Sequence, residues 1–166
     1  KLHRLRLAAE RLGARGLADL VEYLGGLEER LAALVAAGAI ATQLLDKKDI
    51  SVATHISRLG GIDDRGFCNL KEDMEYLNNT VFAVLDENAR EKMTDVIIQA
   101  KNEGDSVGGI LETAVTGMPA GVGEPWFDTL ESVLSHALFS IPAVKGVEFG
   151  AGFKMADMRG SEANDP

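Results

Sequence analysis

Residues 86–118 read DENAREKMTDVIIQAKNEGDSVGGILETAVTGM, and they hold a helix, its stop signal and a strand in direct succession. Asp86 suits an N-cap, because a short carboxylate can accept the free amides of the first turn. Ala89, Met93, Val96, Ile97 and Ala100 then recur on one stripe of a helix. Gly104 stands where a helix ends in the left-handed conformation that glycine adopts without steric cost. Beyond it, GILETAVTGM alternates with the period of a strand. The joint between the two, GDSVGG at 104–109, is the stretch most like a site. A catalytic Ser106 would need a base held by a third group, and His3, His55 and His136 lie in helical or strand contexts that show no convergence. A phosphate cradle would end in Gly-Lys-Ser/Thr and open a helix, whereas this stretch precedes a strand. The reading that remains is a helix-to-strand turn, with Gly108 and Gly109 marking a bulge or a close backbone approach.

The flanking sequence extends the same alternation. ISVATHISRL (50–59) alternates as a strand, with Ile50, Val52, Thr54 and Ile56 on one face, and GGIDDRG turns after it. Residues 71–80 suit a short helix. GVGEPWFD is a loop feeding a helix, with Pro125 suited to a first helical turn. Leu130, Val133, Leu134, Ala137 and Leu138 are the expected buried stripe of that helix. AVKGVEFGAGF (143–153) reads as a further strand, and RGSEANDP as a polar tail. Helices followed by alternating strands and helices predict a two-layer α/β or α+β fold, helices against a sheet, and of these α+β is the class expected. Upstream, residues 1–34 consist almost wholly of Leu, Ala, Arg, Glu and Gly. Their apolar residues recur at helical spacing between glycine breaks, and a third such run carries Leu27, Leu31, Leu34, Val35, Gly38, Ala41 and Leu45 to an end near Lys47 or Lys48.

The 166 residues are 46% hydrophobic and 26% charged, which suits one globular domain with a sizeable core. A net charge of −9 argues against a protein that grips nucleic acid or an anionic membrane surface. No leader and no membrane-spanning run is apparent, so a cytoplasmic location is the expectation. With Cys68 alone, no internal disulfide can form, and the thiol reads as a small, partly buried residue. His136, beside an apolar stripe, and His55, on a strand, read as satisfied, partly buried histidines. Asp63-Asp64 and Glu72-Asp73 read as solvated loop and helix-start charges. Trp126 reads as a packing anchor. No His/Cys/Asp/Glu spacing resembles a metal site.

Several stretches together carry a family resemblance: VAAGAIATQLL (35–45), HISRLGGI (55–62), EGDSVGG (103–109), GMPAGVGEPWFDTLESVLSHALFSIPAVKGVEFGAGF (117–153) and RGSEANDP (159–166). In order and spacing they resemble chorismate synthase over about residues 35–166. The resemblance implies a β-α-β sandwich, of which this chain would form a two-layer, helix-on-sheet half. It implies an enzyme that eliminates phosphate from 5-enolpyruvylshikimate-3-phosphate to give chorismate. The family requires reduced FMN, which takes part without net redox change.

The departures from that family matter equally. Its N-terminal Gly-x-Ser-His-Gly motif and phosphate-binding arginines are not found here, nor are the flavin loops that follow the GSxxND motif. Counting back from Val35, the arginine of a Ser-x-Arg-type motif falls on Glu29 and its serine on Leu27, so an anion stands in a cation's place. Of the flavin contacts, the resemblance leaves Pro142 and Ala143, which would touch FMN through main chain. His136 matches a family histidine that is not one of the catalytic pair, so no catalytic residue is assigned. The composition break makes residues 1–34 an engineered helical segment that covers a face of the core fragment at 35–166. The expectation is a chain that is catalytically incompetent alone, binds FMN weakly or not at all, and is prone to self-association through exposed apolar faces. The alternatives are a folding scaffold with no ligand or activity, a natural gene fragment, and a subunit completed by a separately supplied remainder.

Overall fold

The computed structural model describes residues 32–163. The readings placed on residues 1–31, including the covering role of the N-terminal helices and the Glu29 and Leu27 positions, lie outside the described residues, as do residues 164–166. Helix α1 occupies 32–46 within the described range and ends in a turn at 47–49, in accord with the expected stop near Lys47. The described chain divides into two compact units, one ending at Gly117 and the other beginning at Met118.

The first unit is a three-stranded sheet with two helices on it. Strands β1 (Ser51–Leu59), β2 (Ile62–Asp63) and β3 (Gly109–Thr116) lie in the order β2-β1-β3, all antiparallel. The GGIDDRG stretch, read as a turn alone, is a hairpin. Gly60 (φ 58°) and Gly61 (φ 85°) both take the left-handed conformation that a tight two-residue turn requires, and Ile62 pairs back to Leu59. Helices α2 (Leu70–Asn78) and α3 (Glu87–Glu103) complete the layer. Helix α3 begins and ends as its sequence predicts. The Asp86 carboxylate accepts the Ala89 amide at 2.8 Å, and Gly104 at φ 70° closes the helix, with Gly104 N donating to Lys101 O and Asp105 N to Ala100 O.

The α2 and α3 stripes bury two adjoining clusters. Ala53, Met74 and Leu77 form one, flanked by Phe67, Ala83, Leu85 and Ala114. Val84, Ala89 and Met93 form the other, flanked by Ile56, Leu59, Ile62 and Phe82. Within β1 the alternation holds: Ala53 and His55 share a buried face, while Val52, Thr54 and Ile56 on the intervening positions are half-buried. Ala53 packs with Met74 and Leu77 of α2, and Ile56 packs against the Val84–Ala89–Met93 cluster. A polar ring can occupy the buried face because both its nitrogens find partners there.

In the second unit, α4 spans Leu130–Phe139, a 3₁₀ turn spans Gly152–Asp157 and the short α5 spans Gly160–Ala163. The strand expected at 143–153 is not formed. Among the described residues that segment has no neighbouring strand to pair with, Ala143, Gly150 and Gly152 hold positive φ, and isolated β-propensity is too weak to order a strand alone. Pro125 does not enter a helical turn. It follows a cis peptide bond, and Thr129 is the N-cap of α4, its hydroxyl accepting the Ser132 amide at 3.3 Å.

Candidate functional site

The expected flavin contacts lie just past α4. Ser140 N and Ile141 N donate back to Ala137 O (3.1 Å) and Leu138 O (3.0 Å), which ends the helix. Val144 N then donates to Ile141 O at 3.3 Å, closing a four-residue turn with Pro142 and Ala143 at its centre. Ala143 has φ 73°. A proline followed by a residue of positive φ is the pattern of a type II turn. An alanine in the left-handed region costs roughly 1–2 kcal/mol, so the turn keeps a strained residue where glycine would relax it. Both residues are exposed, and what they present is the peptide between them.

The surroundings of that turn do not amount to a flavin site on their own. Among the described residues, no residue from Met118 onward is buried, so no wall encloses a ring. The one buried side-chain polar atom left without a partner among the described residues is Arg90 Nε, on α3 in the first unit. The α4 stripe read as buried is exposed: Val133 at 52%, Leu134 at 43% and Leu138 at 36%. Trp126, read as a packing anchor, is 77% exposed, and His136 is exposed too. These apolar side chains follow helical spacing, yet nothing in the second unit packs over them.

The first unit holds a polar cluster that its sequence did not reveal. His55, 1% exposed, stands on β1 with Nδ1 2.8 Å from Asp64 Oδ2 and Nε2 2.9 Å from Glu112 Oε2 on β3. Phe67 meets the imidazole edge-on, with ring centroids 4.9 Å apart. Asp64 is not a solvated charge. Its fully buried carboxylate also accepts the amides of Leu85 (2.7 Å), Asp86 (2.9 Å) and Arg65 (2.9 Å). Asp73 is likewise buried. It takes a two-pronged contact from Arg65 (2.6 and 3.1 Å) and accepts the amides of Cys68 and Asn69 at the start of α2. The Arg65 guanidinium, and next the Cys68 amide, hold the Asp73 carboxyl well below the usual carboxylate range. Asp63, beside Asp64, and Glu72, beside Asp73, are exposed as expected. Cys68 is exposed, against its reading as partly buried.

Ser106 is exposed, and its amide is held by Asp105 Oδ1 at 2.8 Å, as befits a turn. His55 is committed to Asp64 and Glu112. Among the described residues no group of three His, Cys, Asp or Glu is placed to hold a metal, and no helix is long and apolar enough to cross a membrane. The buried cluster is closed by its own hydrogen bonds, which makes it a brace of the fold.

The family model described as chorismate synthase matches residues 29–166. The chain belongs to the chorismate synthase family. The chorismate synthase of Methanosarcina acetivorans is 50% identical over 132 residues, 80% of this chain and 36% of that protein. That of Thermococcus gammatolerans is 45% identical over 133 residues, with the same two coverages of 80% and 36%. A solved structure titled "Crystal Structure of Chorismate Synthase" superimposes with a TM-score of 0.70 at 27% identity, covering 81% of this chain and 44% of that one. The chain thus spans about a third of the length of the curated chorismate synthases it matches.

Proposed function

We propose that this chain is a core segment of a chorismate synthase. On this reading it corresponds to part of an enzyme that, when intact, takes 5-enolpyruvylshikimate-3-phosphate to chorismate and phosphate with reduced FMN. In such an intact enzyme the Pro142–Ala143 turn gives main chain to the flavin site. The 166-residue polypeptide alone neither turns over substrate nor holds FMN. The observation that carries this reading is the contrast within the second unit. It carries the longest stretch of the family resemblance, residues 117–153, yet it buries none of its described residues. Apolar faces at helical spacing, left open, are faces that another part of an enzyme packs against.

The test supplies the purified chain with 5-enolpyruvylshikimate-3-phosphate and chemically reduced FMN under anaerobic conditions and follows chorismate absorbance. No turnover is expected, and FMN fluorescence titration should show no micromolar binding. Turnover at the level of an intact family enzyme overturns the proposal, as does tight FMN binding. Addition of a family enzyme's non-overlapping remainder is the complementation arm. Glu29, in place of the arginine that the resemblance puts there, leads us to expect little rescue.

A further inference from the structure

We propose that His55 is a proton-operated latch between β1 and β3. While its ring carries hydrogen on both nitrogens it pins Glu112; loss of the Nε2 hydrogen frees Glu112 and leaves Asp64 bound. Nδ1 lies 2.8 Å from Asp64 Oδ2, and Nε2 lies 2.9 Å from Glu112 Oε2. A bare ring nitrogen and a carboxylate oxygen both present lone pairs, so each contact needs one proton between its two atoms. Two contacts need two protons, and a neutral imidazole supplies one. The cluster therefore holds one proton more than a neutral ring and two carboxylates contain. Imidazole is a stronger base than a carboxylate, which places that proton on the ring.

The charged groups on the surrounding elements are engaged elsewhere. Arg65, at the hairpin exit, takes Asp73 of α2 in a two-pronged contact. Arg58 of β1 is paired with Asp63. Arg90 of α3 is paired with Glu87 at 2.9 Å. The Asp86 carboxylate is turned to the Ala89 amide. Phe67 meets the ring edge-on and brings no charge. No neighbouring cation thus stands in for the second ring proton among the described residues.

The two contacts differ in what holds the carboxylate. Asp64 is fully buried and also accepts the amides of Arg65, Leu85 and Asp86, so moving it would strand three donors. The Glu112 side chain is 48% exposed, and among the described residues its carboxylate takes no hydrogen bond besides the one from His55. When Nε2 gives its proton to solvent, lone pairs face each other across that contact. Glu112 is the partner that can turn to water, and the ring stays on Asp64 through its Nδ1 hydrogen. One proton leaves, and no other group changes its charge.

The experiment is a pH titration of the whole chain by NMR, with 15N in histidine and 13C in glutamate. Replacing His3 and His136 in turn by Gln assigns the His55 signals. At the acid end of the folded range both His55 nitrogens should carry hydrogen. As pH rises, Nε2 alone should lose it, the Glu112 carboxyl carbon should shift in the same step, and amide protection at the centre of β3 should fall across that step. Glu112→Gln separates a latch from a fixed brace. A carboxamide accepts from a protonated Nε2 and donates to a bare one, so it holds its place in both states. In Glu112→Gln the ring should still titrate, and the step in β3 protection should be lost. A ring with a single hydrogen throughout the folded range, loss from Nδ1 first, a ring step without response at Glu112, or a β3 step that persists in Glu112→Gln would overturn the proposal. Should Glu112→Gln not fold, the coincidence of the ring and Glu112 steps in the parent decides the matter.

Discussion

Replacement of Asp64 by Asn tests whether one buried carboxylate braces the first unit. The side chain is fully buried and accepts four hydrogen bonds, from His55 Nδ1 and from the amides of Arg65, Leu85 and Asp86. Asparagine keeps one acceptor oxygen and turns an NH2 toward the other donors. Whichever way the amide faces, two of these contacts lose their acceptor. A hydrogen bond to a charged group contributes roughly 1.5–3 kcal/mol, so Asp64→Asn should cost about 3–6 kcal/mol. Net stabilities are roughly 5–15 kcal/mol, which makes this loss a large share of the total. In urea, with a slope of roughly 1–3 kcal/mol per molar, the far-UV circular dichroism midpoint should drop by about 1 M or more. The control is its neighbour. Asp63 is 61% exposed and pairs with the half-exposed Arg58, so water replaces what Asp63→Asn removes. Asp63→Asn should leave the midpoint in place. Equal shifts for the two variants would refute the reasoning, because it rests on burial and not on the charge they share.

Other outcomes follow from the same physics. The folded Asp73 carboxyl titrates below its ordinary value, so its stabilisation is full above about pH 4 and is lost as pH falls toward the folded value. Acid titration of unfolding should show that limb in the parent and a flatter one in Asp73→Asn; identical acid limbs would remove Arg65–Asp73 from the account. Gly104→Ala should cost about 1–2 kcal/mol from left-handed strain alone, since no atom lies within 4 Å of the added Cβ. A thermal shift outside that scale would point to an unrecognised contact. Ala143→Gly should relax the φ 73° strain and raise stability slightly in calorimetry; a loss would mean that the turn needs its methyl.

The first unit was largely legible because its signals are local. The Asp86 cap, the Ala89–Met93 stripe and the Gly104 stop each act within a helical turn of themselves. What the sequence concealed depends on residues far apart in the chain. Asp64 and Glu112 are 48 positions apart, and only the β1–β3 register brings them to the same imidazole. A pair such as Asp63-Asp64 carries no mark of which member is buried, since that depends on which side of the hairpin faces the helices. The second unit was misread for the converse reason. The 143–153 segment has strand-like residues and α4 a core-like stripe, but a strand needs a neighbour and a stripe needs a cover. Pro142 and Ala143 were singled out by resemblance, and the positive φ of Ala143 had no sign in its residue type.

The Asp64 carboxylate ties together three separate stretches of the chain. It joins the imidazole of β1, the exit of the hairpin, and the two amides through which the chain enters α3. None of these can open while the others stay closed without stranding a buried charge. The Leu85 and Asp86 amide protons should therefore exchange with solvent in step with the centre of β1, at one common protection factor. The start of α3 should not fray as helix ends do, but behave as part of a single cooperative opening unit.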